Sequence, residues 1–260
     1  KMSKADFNVC DPERMLPVSE SSTRCSYDVT NCVPEHVAKY QGVFPAKDGP
    51  NCWNLALVLT GILPSLRYTA PEEIAFYMRP PLCRALANGE PRQPGDVGLI
   101  RQVGLPNDSE MHGFIYVSEN IVYSKSGPRG SSFSLRSMDD TLAAFKVSDN
   151  PGCRRNSVPK VFCEMATAYF RCESLDEYLG NGQNQPKQIL DALREFDRFE
   201  ECFQQSIVQG APLSDTAVKS LTDTSQALVK YLEKNKSTDD LNKKFLLGNL
   251  QLRLRSIVIQ

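Results

Sequence analysis

The chain has 260 residues, 41% of them apolar and 23% charged, with a formal net charge of −1. That is long for one domain and comfortable for one plus an appendage, and it offers no bulk charge to attract nucleic acid or anionic lipid, so neither is expected as a partner. No apolar run approaches the roughly 20 residues needed to cross a bilayer, so no membrane span is expected either.

Residues 1–37, with three cysteines, several prolines and short polar clusters, read as an irregular N-terminal arm stapled by disulfides, and a short helix is expected over Val33 to Tyr40. At Gly49-Pro50-Asn51 a group of helix breakers stops and an apolar run begins, which predicts a helix from Cys52 to about Leu63, ended by Pro64. A second short helix is expected from Pro71 to Met78, with proline in its first turn and Glu72 and Glu73 favourably placed against its dipole. Four short runs with β-branched or aromatic residues then follow, Val97 to Val103, Gly113 to Val117, Ile121 to Ser124 and Ser132 to Leu135. Turn formers separate them, which predicts an antiparallel meander rather than β-α-β units. Val161 to Phe170 and Leu175 to Leu179 fit either helix or strand. The polar stretch 180–186 reads as a linker, and beyond it Ile189, Leu193, Phe196, Phe199, Phe203 and Ile207 recur at helical spacing. Two more helical patterns follow, from Ser214 to Asn235 and from about Thr238 to Ile259. The expectation is an α+β protein, with a core over 38–180 and a helical bundle over 187–260. Those C-terminal helices also offer a surface for a protein partner.

Nine cysteines and only two histidines, His36 and His112, shape the chemistry. No pair has the C-x-x-C spacing of a zinc or redox site, so no metal and no cofactor is expected. Setting Cys52 aside leaves eight, the number needed for four bridges and one free thiol, which implies an oxidising compartment. With no signal peptide at Lys1, the expectation is a processed, extracytoplasmic chain, periplasmic or secreted.

Cys52 is the thiol whose setting favours reactivity. It stands at an expected helix N-terminus, where unpaired backbone N–H groups and the helix dipole favour thiolate, and Asn51 is a good capping residue. His112 opens the run His112-Gly113-Phe114-Ile115-Tyr116-Val117. A thiol on a helix facing an imidazole on a sheet is how a Cys–His pair is assembled, with the neutral ring taking the thiol proton. His36, in the arm, is the other base the chain could supply.

The ordered combination resembles the NlpC-type cell-wall peptidases, a papain-like group. Tyr40 precedes Cys52 by twelve residues, where the family keeps a tyrosine near its oxyanion site. Asn51-Cys52 stands for the family's Asp-Cys, Pro94-Gly95-Asp96-Val97 is similar to its strand entry, and His112 to Val117 is similar to its histidine strand. The similarity spans about residues 38–126. Trp53-Asn54 replaces the family's Ser-Gly, and its third polar residue, which orients the histidine, falls at Ser124 by strand counting. The resemblance implies a papain-like core with the nucleophile helix packed on an antiparallel sheet. It also implies a cysteine hydrolase that cleaves an amide bond in peptidoglycan stem peptides. Cys52 would be nucleophile, His112 base, Ser124 orienter and Tyr40 oxyanion donor. A Cys–His acyltransferase or thioesterase, a protein amidase, and an inactive binding module that kept the fold are the alternatives.

Overall fold

The computed structural model describes residues 16–21, 24–28, 40, 42, 50–64, 66–103, 109–128, 131–154, 163–180, 196, 198, 214–234, 244–245, 248–249 and 251–253. By their internal contacts the residues divide into two compact units. One, the sheet unit, comprises Lys1–Phe44, Ala85–Ser126 and Ser131–Cys172; the other, the helical unit, comprises Pro45–Arg84, Gly127–Gly130 and Glu173–Gln260. The fold is α+β, with an antiparallel sheet and segregated helices.

In the N-terminal arm, expected to be irregular, β1 (Leu16–Ser21) and β2 (Arg24–Asp28) form an antiparallel pair with a bulge between Pro17 and Ser19. Proline has no N–H to give the ladder, so a strand containing one fits a short two-stranded sheet better than a central position. The helix expected over Val33 to Tyr40 lies outside the described residues, apart from Tyr40 itself.

The main sheet has six strands: β3 (Cys83–Ala85), β4 (Val97–Gln102), β5 (Ser109–Tyr116), β6 (Ile121–Ser124), β7 (Ser134–Ser137) and β8 (Met165–Cys172). Their spatial order is β3-β8-β4-β5-β6-β7. Strands β4 to β7 form the expected antiparallel meander. The last strand, β8, returns to pair antiparallel with β4, Val97 opposite Phe170 and Ile100 opposite Thr167. That settles residues 165–170 of the ambiguous run as strand: between β3 and β4 their backbone groups are paired, and Ala166 to Phe170 are buried. A helix not foreseen in the sequence, α3 (Met138–Ala144), follows β7 directly; here and below, helices are numbered in chain order, α1 (Cys52–Leu59) and α2 (Pro71–Tyr77) preceding it. The Ser137 hydroxyl accepts from Asp140 N–H at 3.2 Å and starts α3. Met138 and Leu142 of α3 join Val147 and the sheet residues Ile100, Phe114, Tyr116, Val122 and Tyr169 in one apolar core. On the opposite face Val97, Ile115 and Tyr123, aligned by register, are also fully buried.

The helical unit contains α1, α2, α4 (Leu175–Gly180) and α5 (Asp215–Lys234). Helix α1 ends at Thr60, before the expected Pro64, because Thr60 N–H bonds back to Ala56 and Gly61 follows at φ +73°, a left-handed conformation open to glycine. This unit also includes helical residues among 244–253. Phe245 stacks on Phe76 of α2 at 5.2 Å between ring centres and meets Tyr178 of α4 edge-on at 5.5 Å, and Tyr77 Oη lies 3.3 Å from Asn249 Oδ1. Aromatic packing therefore joins the chain's C-terminal part to the helices that follow Cys52. The expected division, a core over 38–180 and a detached bundle over 187–260, groups these segments differently.

Candidate active site

Cys52 is the first residue of α1 and is buried. Its sulfur is a thiol, in no disulfide. Cys153 and Cys163 are joined, and Cys83 and Cys172 are each disulfide-bonded. Cys10, Cys32 and Cys202 lie outside the described residues.

The turn into α1 is held by a buried polar network. Asn51 caps the helix: its Oδ1 accepts from Asn54 N–H at 2.9 Å, while its Nδ2 donates to the Thr69 carbonyl at 2.8 Å. One cap residue thus fixes both the helix start and the strand of chain that returns past it. Asn54 Oδ1 in turn accepts from the backbone N–H of Arg67 at 3.0 Å. The Arg67 guanidinium forks onto Glu73, Nη1 to Oε2 at 3.0 Å and Nη2 to Oε1 at 2.7 Å, with both side chains essentially solvent-free. Glu73 also accepts from Ala70 N–H at 3.2 Å at the start of α2. In the sequence Glu73 reads as a charge placed against a helix dipole; the structure makes it the buried counter-ion of Arg67. The signal for this network was faint: an asparagine inside an apolar helix and an arginine next to Leu66. The indole Nε1 of Trp53 is buried with no hydrogen-bond partner among the described residues.

His112, Ser124 and Tyr40 belong to the sheet unit. His112 alternates with Phe114 and Tyr116 along β5 and so faces the α3 side. Its ring stacks on Phe145, just beyond α3, with centres 4.5 Å apart and planes 19° apart. It is 1% exposed, and Nε2 has no hydrogen-bond partner among the described residues. Burial, with the Arg136 charge adding to it, lowers its pKa from 6.5 to about 4, so the ring is neutral at pH 7. Among the described residues Ser124 Oγ is likewise buried and without a partner, so the hydrogen bond expected between Ser124 and His112 is not made. Tyr40 is buried against Phe133, ring centres 5.9 Å apart.

Two neighbours of Ser124 were not singled out as a pair by the sequence. Lys125 is fully buried, its Nζ 3.5 Å from Ser131 Oγ and 5.8 Å from the Phe133 ring centre. Tyr123 is fully buried, its hydroxyl has no hydrogen-bond partner among the described residues, and burial, then the nearby Tyr40, raises its pKa well above 10. Asp96 is structural: Oδ2 accepts from Gln93 N–H at 2.7 Å in the turn before β4, and both oxygens hold Arg171 at 2.9 Å.

No family model matches this chain, and no curated protein or solved structure matches it. No group of three or more His, Cys, Asp or Glu among the described residues is placed to hold a metal ion. No helix among them is long and apolar enough to cross a membrane.

Proposed function

We propose that this protein is an extracytoplasmic cysteine hydrolase of papain-like design, akin to the NlpC-type peptidases, which cleaves an amide bond in peptidoglycan stem peptides. The observation that carries the reading is the state of Cys52: a reduced thiol opening a capped helix, while Cys83, Cys153, Cys163 and Cys172 are oxidised. The N–H groups at a helix N-terminus and the helix dipole favour negative charge on sulfur and, later, on a carbonyl oxygen. His112 supports the reading as base because its ring is neutral and Nε2 is not committed to another group.

In this mechanism the Cys52 thiol gives its proton to His112 and Sγ attacks the amide carbonyl carbon. The tetrahedral oxyanion is held by the Cys52 backbone N–H and the Tyr40 hydroxyl. As it collapses, the C–N bond breaks and His112 protonates the leaving amine, leaving a thioester. His112 then takes a proton from water, hydroxide adds to the carbonyl and displaces the thiolate, the proton returns to sulfur, and the carboxylic acid product leaves and gives its proton to solvent. Ser124 is the residue available by strand position to orient the ring.

The test is release of new amino groups from purified wall fragments by the intact protein and by Cys52→Ala and His112→Ala. Nucleophile and base act as a unit, so each substitution should remove most of the rate. Normal turnover by His112→Ala would remove histidine from the mechanism. A second reading, a binding module that keeps the architecture without the chemistry, is favoured by the apolar setting of His112: its ring lies on Phe145, and among the described residues no polar group bonds to Nε2. A Cys52 that reacts no faster with iodoacetamide at mildly acidic pH than a free cysteine does would select it.

A further inference from the structure

Apart from the residues of the proposed chemistry, the sheet unit has a cleft of about 510 Å³ between the segment before β4 and the β5–β6 turn. Its wall includes Asn88, Glu90, Arg92, Tyr116, Glu119 and Arg154. The volume falls in the range that holds a small ligand.

The charged groups of this wall differ in how far they are already committed. Arg154 is engaged by Asp139 and Asp149, and Glu90 by Arg171. Arg92 is held differently. Its guanidinium lies over the rings of Tyr116 and Tyr169, 5.2 and 4.9 Å from their centres, and Nη1 donates to Tyr169 Oη at 3.1 Å. An arginine carries five N–H donors, and stacking on two rings fixes the plane of the fork without using them. Among the described residues no carboxylate pairs with Arg92. A half-buried guanidinium pre-oriented at a cleft wall, with donors to spare, is built to meet a carboxylate from outside the chain. Glu119, exposed on the β5–β6 turn, has no ion-pair partner among the described residues. Arg92, Glu119 and Tyr116 line the same cleft, and the two charges act on the Tyr116 hydroxyl with opposite sign, Arg92 lowering and Glu119 raising its pKa.

We propose that this cleft binds a zwitterionic ligand of about dipeptide size, with its carboxylate on Arg92 and its ammonium towards Glu119. A purely anionic ligand fits less well, because Glu90 and Glu119 offset the two arginines of the wall. The proposal uses residues of the sheet unit other than those of the proposed chemistry and stands whether or not the hydrolase reading holds.

The experiment uses the full-length protein and three probes: Ala-Ala, its N-acetylated form, which lacks the ammonium, and its C-terminal amide, which lacks the carboxylate. Binding is followed by amide chemical shifts, read at Asn88 to Arg92 and at Glu119. Ala-Ala should produce saturable shifts there. The amide should bind about tenfold or more weakly, since it forfeits a charge-assisted pair, and the acetylated form a few-fold more weakly, because Glu119 is solvent-exposed. Arg92→Gln should abolish the difference between Ala-Ala and its amide. Should Arg92→Gln fail to fold, the three probes on the unaltered protein decide the matter alone. No saturable shift at those residues, or equal binding of all three probes, overturns the proposal.

Discussion

Replacing His112 by leucine should change how the stability of this protein depends on pH rather than its stability at neutrality. The unfolded chain takes up a proton at this histidine near pH 6.5, but the folded protein resists until about pH 4, because the ring is 1% exposed and Arg136 is near. Folded pKa below unfolded pKa means the unfolded state binds more protons in that window. Stability is therefore complete above pH 6.5 and falls as the pH drops, levelling off below about 4. Each pH unit of that gap is worth about 1.4 kcal/mol, so the full loss is about 3 kcal/mol, most of it already present at pH 4.5. Leucine cannot be protonated and fills a similar space against Phe145. At pH 7.5 the two proteins should differ by under about 1.5 kcal/mol, the usual range for an apolar substitution of similar volume. At pH 4.5 the variant should have gained most of that loss, about 3 kcal/mol in full, on the parent. Urea unfolding followed by circular dichroism, run on both proteins across pH 7.5 to 4, measures this, and all other titrating groups cancel in the difference. A difference between the two proteins that stays flat across the range would show that His112 is not buried in neutral form, and the reasoning would be wrong.

Glu73→Gln leaves the Arg67 guanidinium buried without its counter-ion, and losing one partner of such a pair should cost about 3–5 kcal/mol in urea unfolding; a loss below about 1 kcal/mol would mean that solvent reaches Arg67. Gly98→Ala should destabilise by about 1–3 kcal/mol, because a Cβ there would lie 2.2 Å from the Phe114 ring, and the combination with Phe114→Leu should recover part of it; no cost for the single change would contradict the register that sets Gly98 against Phe114. Asn51→Ala should cost about 1–2 kcal/mol by removing the α1 cap and the bond to Thr69, while Asn51→Asp, which keeps the cap acceptor, should cost less; equal losses would place the energy in the Thr69 bond instead. Mass spectrometry of the unreduced, alkylated protein should find Cys52 labelled and Cys153 linked to Cys163; label on either of those two would contradict the bridge.

Local chemistry decided the start of α1, α2 and the β4–β7 meander, and the sequence alone was enough to find them. Asn51 bonds to a backbone group three residues away, proline opens α2, and turn formers separate the strands, so each signal acts within a few residues of where it is read. The isolation of Cys52 from the other cysteines was legible for the same reason: a helix start is a property of the adjoining residues. What depends on partners distant in sequence was not legible. β8 is a strand because β4, some 70 residues earlier, offers it a ladder, and the aromatic contacts of Phe245 join the chain's end to helices near its beginning. The burial of charge was equally hidden. The sequence reads Glu73 only as a charge placed against a helix dipole and does not mark Lys125 as buried, and only the tertiary structure supplies Arg67 to the first and the Ser131 hydroxyl and the face of Phe133 to the second. The same holds for His112. The sequence marks it as the imidazole of a strand, but its neutrality follows from desolvation against Phe145 and Phe114, and desolvation is set by everything that packs around a group rather than by its neighbours in the chain.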